Sequence, residues 1–210
     1  MKFEDLLEKV SGLPAFTVRF LAAGENLAQV RLQINRWVCD GKIIKIHKGL
    51  YAPASPYQKV HSETFCIANA LKQVSYISLH SALSWYGMIP EYVPCVTSIT
   101  AGRPQCIDTP LGRFEFRHIT KKYFWGYRQV ELQHGLKAFV AYPEKALLDL
   151  VYLTPGGDEM DFIEGLRLGN FERIDRTRLR QFAEKFNGPK MRRAAENIET
   201  LLHQSEGIDV

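Results

Sequence analysis

Cysteine is scarce and scattered in this chain. Cys39, Cys66, Cys95 and Cys106 form no CxxC pair, which argues against a disulfide framework and against a thiolate zinc site. No apolar run approaches the roughly 18 residues that a membrane-spanning helix needs, so no membrane partner is expected. The opening MKFEDLLEKV mixes acids with bases and lacks the basic start and apolar stretch of a secretory signal, from which a cytoplasmic location is expected. Catalytic signatures are missing too. The six histidines show no HExxH spacing, and GxGxxG, GxxxxGK[ST] and GxSxG are all absent. His61-Ser62 and His80-Ser81 are adjacent pairs rather than a nucleophile with a base brought in from elsewhere. No cofactor, no metal and no enzymatic activity are expected.

What the chain does have is a core and a skewed charge. At 210 residues and 46% hydrophobic content it can bury one large domain or two small ones. The net charge of +4 is unevenly spread: residues 1–60 hold 9 Lys/Arg against 5 Asp/Glu, and the remainder is balanced at 18 against 18. Between residues 26 and 59 there are six bases, Arg31, Arg36, Lys42, Lys45, Lys48 and Lys59, against Asp40 alone. A local excess of this kind is the footprint of a module that binds a polyanion.

Phe3, Leu6, Leu7 and Val10 recur at helical spacing before Ser11, Gly12 and Pro14 stop the run. Thr17 is a suitable N-cap for a short helix from Val18 to Ala23, and Asn26 for a third in which Leu27, Val30, Ile34 and Val38 form the buried stripe. From Lys42 the period changes to that of two short strands, about Lys42 to His47 and Leu50 to Ala52, turning at Lys48-Gly49. Ile44, Ile46 and Leu50 are expected to pack beneath this hairpin. The order predicts a winged helix-turn-helix over residues 1–56. The stretch from Ala52 to Pro56, with two prolines and no periodicity, marks the boundary.

Residues 57–210 read as a mixed α+β domain with a helical C-terminal part, so the fold class is α+β. The expected elements are a helix from Lys59 to Lys72, a strand near Tyr76 and a helix from His80 to Tyr86. Strands follow at Val96 to Thr100, Phe114 to Ile119, Arg128 to Leu132 and Lys137 to Ala141. A helix begins at Pro143, and three more cover Met160 to Leu168, Arg176 to Phe186 and Pro189 to His203.

The third helix carries the sharpest functional reading. At 100° per residue, an inward stripe of Leu27, Ile34 and Val38 turns Gln29, Leu32, Gln33 and Arg36 outward. Gln can pair with adenine, Arg with guanine, and Leu32 can lie against a thymine methyl. Arg31 lies about 40° from the stripe, which suits a snorkelling or phosphate-contacting side chain better than a base reader. Together with Asn26 at the helix start, and with Lys45, His47 and Lys48 on the hairpin as phosphate contacts, these residues form the candidate interface with double-stranded operator DNA.

A second basic run has two readings. Arg176, Arg178, Arg180, Lys190, Arg192 and Arg193 flank or follow a stripe of Leu179, Phe182, Ala183 and Phe186. They form either a second surface for DNA or an acidic partner, or a solvated face partly neutralised by Asp158, Glu159, Asp161 and Glu164. In PEKALLDL, Glu144, Lys145 and Asp149 are nuclease-type residues. Restriction-type metal sites need an acid and an acid-x-Lys on adjoining strands, whereas here Glu and Lys adjoin on a helix. An ion pair at the edge of the interior, with Glu144 favoured by the helix start, is expected instead.

Three strings, HKGLYAP, SYISLHSALSWYGM and AYPEKALLDLVYL, resemble in this order and separation the AbiEi antitoxin family of transcriptional regulators, over about residues 3 to 155. The resemblance implies autorepression through an N-terminal winged helix. It also implies neutralisation of a nucleotidyltransferase-type toxin in a type IV toxin–antitoxin pair, without need of a stable complex. The reading from a different class is a stand-alone winged-helix transcription factor whose second domain senses a ligand or oligomerises.

Overall fold

A computed structural model describes residues 1–59 and 63–206. Helix α1 (Phe3–Lys9) starts where the Asp5 carboxylate accepts the Lys2 amide at 2.7 Å. Strand β1 (Phe16–Thr17) leads directly into α2 (Val18–Leu21), whose cap is Thr17: its hydroxyl accepts the Phe20 amide at 3.2 Å. Helix α2 ends two residues before the expected Ala23. Helix α3 (Leu27–Cys39) begins at Asn26 and is followed by Gly41 at φ +70°, a backbone state that favours glycine. Strands β2 (Ile43–His47) and β3 (Leu50–Pro53) complete an antiparallel sheet of order β1-β3-β2. At two residues, β1 is too short to show any periodicity in sequence.

The hairpin is divided between two cores because successive strand residues point to opposite faces. Ile43 and Tyr51 pack with Leu6, Phe16, Leu21, Val30 and Ile34. Ile46, Leu50 and Ala52 join the large core of the second unit. This corrects two expectations. Ile44 is only half-buried, and Ile43 takes the sealed position in its place. The stretch from Ala52 to Pro56 does not begin as a linker: β3 runs through Pro53, all four of its residues are buried, and burial continues to Ala54.

The second unit opens with α4 (Thr64–Leu71). The earlier start expected at Lys59 is not seen; Lys59 lies in a bend, and residues 60–62 lie outside the described residues. Six strands, β4 (Ser75–Ile77), β5 (Cys95–Thr100), β6 (Gln105–Thr109), β7 (Gly112–His118), β8 (Tyr127–Glu131) and β9 (Lys137–Ala141), form one sheet. Their order is β6-β7-β5-β4-β9-β8. The pairs β4/β9 and β5/β7 are parallel and the others antiparallel. Strand β6 was not legible in the sequence because it is an edge strand on which Ile107 alone is buried.

Helices α5 (Leu79–Trp85), α6 (Pro143–Leu153), α7 (Met160–Gly165), α8 (Arg176–Phe186) and α9 (Pro189–Glu206) complete the fold, which is mixed α+β. Helix α7 stops short of the expected Leu168, with Arg167 at φ +48° in the left-handed region. The apolar residues Ala146, Leu147, Leu150, Val151 and Leu153 would by their spacing form one broad face of α6, yet every residue from Pro143 to Val151 is buried. Its neighbours are α5, α8, α9 and β9. Among the described residues no helix is long and apolar enough to cross a membrane.

The shared hairpin makes Leu50 a test of the packing. Leu50→Ala removes a side chain that is 5% exposed from the contact between the hairpin and the second unit. It should lower the stability of the full chain by about 2–5 kcal/mol, measured by urea unfolding.

Candidate nucleic-acid interface

Helix α3 is held from behind by Val30 and Ile34, which are 1% and 0% exposed, with Val38 half-buried. Leu27 does not belong to this stripe. At the first helical position it lies beyond the core and is 37% exposed, so the inward face starts one turn later than the spacing implied. Phe3 of α1 braces the other end, with its ring 5.4 Å from Trp37 and 5.0 Å from Tyr57. The opposite face is open. Gln29, Arg31 and Arg36 are exposed, Gln33 is half-buried, and Leu32 is 61% exposed.

Asn26 is engaged in building the helix, since its side-chain oxygen accepts the amides of Ala28 at 2.9 Å and Gln29 at 3.3 Å. It fixes where α3 begins and leaves its amide nitrogen as the group that can reach a ligand. On the hairpin Lys45 and Lys48 are exposed and His47 is half-buried. Arg31, Arg36, Lys45 and Lys48 form no ion pair with any described residue. An unpaired base can exchange its counterions for phosphates without first breaking an internal contact. The structure adds Arg19 and Phe20 to this region, both exposed on α2, which packs against α3. The signal was in the sequence: with Thr17 as cap and Val18 and Leu21 inward, the two residues between them face out.

In architecture the chain is similar to a solved protein. The crystal structure of the RV2827C protein from Mycobacterium tuberculosis matches 90% of this chain and 74% of that one, with a TM-score of 0.54 and 16% identity. At this identity the likeness is one of fold alone. No protein-family model and no curated protein matches the chain.

The basic C-terminal helices look different from α3. Arg180 forms a two-pronged pair with both Glu199 oxygens, at 2.6 and 2.9 Å, and two nitrogens of Arg193 converge on one Asp158 oxygen, at 2.8 and 2.7 Å. Arg178 lies 3.5 Å from Glu144 and 3.3 Å from Asp175. Lys190 donates to the Thr154 carbonyl at 2.6 Å, and Arg176 contacts the His203 ring. Arg192 is exposed and lines a cleft of about 540 Å³ between α8 and α9, together with Arg180, Glu184, Glu196 and Glu199. Most of this basic run is spent on internal contacts. Of the four acids expected to neutralise it, Asp158 is the one that forms an ion pair among the described residues.

Glu144, Lys145 and Asp149 are sealed, each at 0% exposure, rather than at the edge of the interior. The Lys145 ammonium pairs with Asp149 one turn along α6 and donates to the Tyr76 hydroxyl at 2.9 Å. Tyr76 donates in turn to the other Asp149 oxygen at 3.0 Å, as does Ser78 at 2.8 Å. Burial pulls the Lys145 amine below its usual range and pushes the Asp149 carboxyl above its own, while their mutual attraction opposes both shifts. Glu144 accepts the Asp175 amide at 2.7 Å, and burial raises its carboxyl. His80 is half-buried, and burial holds its imidazole below the usual value. His61 and Ser62 lie outside the described residues. Among the described residues no group of three or more His, Cys, Asp or Glu side chains is placed to hold a metal ion.

The buried pair yields a sharp expectation. Lys145→Met leaves the enclosed Asp149 carboxyl without its partner, and should cost about 3–5 kcal/mol. Adding Asp149→Leu should recover much of that loss. Thermal unfolding of the wild type, the single variant and the double variant checks both statements; equal losses in the two variants would mean that the pair is not the source.

Proposed function

We propose that this chain is a DNA-binding autorepressor and the antitoxin of a type IV toxin–antitoxin pair whose toxin is of the nucleotidyltransferase type. In this reading residues 1–56 are a winged helix-turn-helix: α2 and α3 form the helix-turn-helix, α3 enters the major groove, and β2 and β3 are the wing. The observation that carries the DNA-binding half is the open face of α3. Gln29, Leu32 and Arg36 are exposed on α3 with Gln33 half-buried, and Lys45 and Lys48, on the hairpin whose β2 packs against α3, form no ion pair with any described residue; the region can supply base-reading groups and phosphate contacts together. The antitoxin half rests on the resemblance carried by HKGLYAP, SYISLHSALSWYGM and AYPEKALLDLVYL. Such a regulator acts in the cytoplasm.

We read the chain as a regulator rather than an enzyme. The acids and lysine that most resemble a nuclease set have no access to solvent, and Lys145 and Asp149 are engaged with one another and with Tyr76 and Ser78. A substrate would have to open the core to reach them.

Three measurements on the full chain test the proposal. Arg36→Ala should weaken binding to promoter DNA by about 1–3 kcal/mol if the guanidinium reads a guanine. Lys45→Ala with Lys48→Ala should weaken binding to every duplex and lower the slope of log K against log salt by about 0.9 per lost contact. Unchanged promoter binding in both variants removes α3 and the hairpin from the interface. Expressed beside the neighbouring toxin, Arg36→Ala should lose promoter repression and still restore growth. Loss of both activities, with the variant folded, would mean that neutralisation depends on DNA binding.

A further inference from the structure

A third concentration of positive charge, besides α3 with the hairpin and the C-terminal helices, has a different composition. Residues 116–130 carry Arg117, Lys121, Lys122 and Arg128 and no acid, interleaved with Phe116, Tyr123, Phe124, Trp125 and Tyr127. Much of this segment is the connection from β7 to β8. Gly126, at φ +77°, lets it close onto α6: a Cβ there would meet the Lys145 stem at 2.9 Å. Trp125 is thereby fixed over the buried lysine, its ring centre 4.9 Å from the ammonium, while its indole N–H donates to the Lys122 carbonyl at 3.0 Å.

From Trp125 a row of half-buried rings continues across the surface. Phe182 of α8 lies 5.0 Å from Trp125, and Tyr142 lies 6.2 Å from Phe182. Cations border this row. The exposed Lys185 is 4.3 Å from the Trp125 ring centre, and the guanidinium groups of Arg128 and Arg178 are 5.3 and 4.6 Å from that of Tyr142. Lys122 lies over Tyr123 at 4.5 Å. Of these four cations, Arg178 alone forms an ion pair with a described residue.

We propose that Lys122, Trp125, Arg128, Tyr142, Arg178 and Lys185 form a binding surface for single-stranded nucleic acid, separate from α3 and the hairpin. The guanidinium planes of Arg128 and Arg178 offer stacking area to unpaired bases, the Trp125 ring offers more once the exposed Lys185 side chain swings from it to a phosphate, and the lysines neutralise the backbone. A duplex keeps its bases stacked within itself and cannot use the rings, so the interleaving of aromatic and basic groups favours unpaired strands. A protein partner with acidic side chains would use the charges and leave the stacking unused.

The experiment uses the full chain and fluorescent oligonucleotides of about 12 nucleotides, oligo-U and oligo-dT, with binding read by anisotropy over a range of salt. The triple variant Lys122→Gln, Arg128→Gln, Lys185→Gln alters exposed side chains only; its circular dichroism and melting temperature should match the wild type. It should bind both oligonucleotides at least about tenfold more weakly, with a salt slope reduced by about 0.7 for each lost contact and about 2 in all. The Arg36→Ala, Lys45→Ala, Lys48→Ala variant should bind them as the wild type does. Binding of RNA alone, of DNA alone or of both supports the surface and identifies which strand it takes. The proposal is overturned if the wild type binds neither oligonucleotide, or if the α3 and hairpin variant loses the binding while the first triple variant keeps it. Displacement of the oligonucleotides by polyglutamate as effectively as by unlabelled strand at equal charge also overturns it, and points to an acidic protein instead. Because the two sets of substitutions share no residue, failure here leaves the operator-binding reading standing, and the reverse holds.

Discussion

A lysine and an aspartate one turn apart on α6, both closed off from water, impose the strictest requirement in this structure. Removing two opposite charges from solvent costs more than their attraction returns unless the remaining hydrogen-bonding capacity is filled. Strand β4 and the residue after it fill it, with the Tyr76 hydroxyl bridging Lys145 and Asp149 and the Ser78 hydroxyl adding a donor to Asp149. The aromatic rings of Trp125 and Phe186, each with its centre 4.9 Å from the ammonium, supply further favourable contact. The pair therefore fixes the position of α6 against the middle of the sheet, the course of the β7–β8 connection and the seat of the last turn of α8.

A second constraint comes from the hairpin. Its two faces meet different cores: Ile43 and Tyr51 close the core around α1, α2 and α3, while Ile46, Leu50 and Ala52 join the core around the large sheet. A division of labour between residues 1–56 and the remainder, if function follows it, is not matched by a clean division of hydrophobic burial. The same hairpin presents Lys45 and Lys48 at its exposed positions. The proposed phosphate contacts are thus carried on the element shared by both cores, where neither face can shift without opening a packed interior.

Charge counts and charge availability differ in this chain, and the difference is spatial. The run from Arg167 to Arg193 holds nine bases against three acids, a larger excess than that around α3. Yet Arg180 and Arg193 are paired with Glu199 and Asp158, and Arg178 with Glu144 and Asp175. Glu199, Asp158 and Glu144 lie outside the run. Around α3 the opposite holds, because Asp40 is the one acid among residues 26–59 and forms no ion pair with any described residue.

Local chemistry was legible in the sequence wherever one helix or strand satisfied itself. Thr17 and Asn26 cap α2 and α3, Gly41 follows α3, and the inward positions of Val30 and Ile34 with the outward positions of Gln29, Leu32 and Arg36 follow from a period of 3.6. The mixed α+β character and the places of β4, β5, β7, β8, β9 and α6 follow from changes of period in the same way. Features that depend on a partner distant in sequence were not legible. Strands β1 and β6 exist because β3 and β7 pair with them, Ile43 rather than Ile44 is sealed because one hairpin face meets the first core, and Leu27 is exposed because that core ends before it. Lys145 and Asp149 on their own read as an ordinary i,i+4 pair at the edge of an amphipathic helix. Only the packing around α6, by α5, α8, α9 and β9 and by Tyr76, Trp125 and Gly126 over the pair itself, excludes water from them, because enclosure is a property of what surrounds a helix and not of the residues along it.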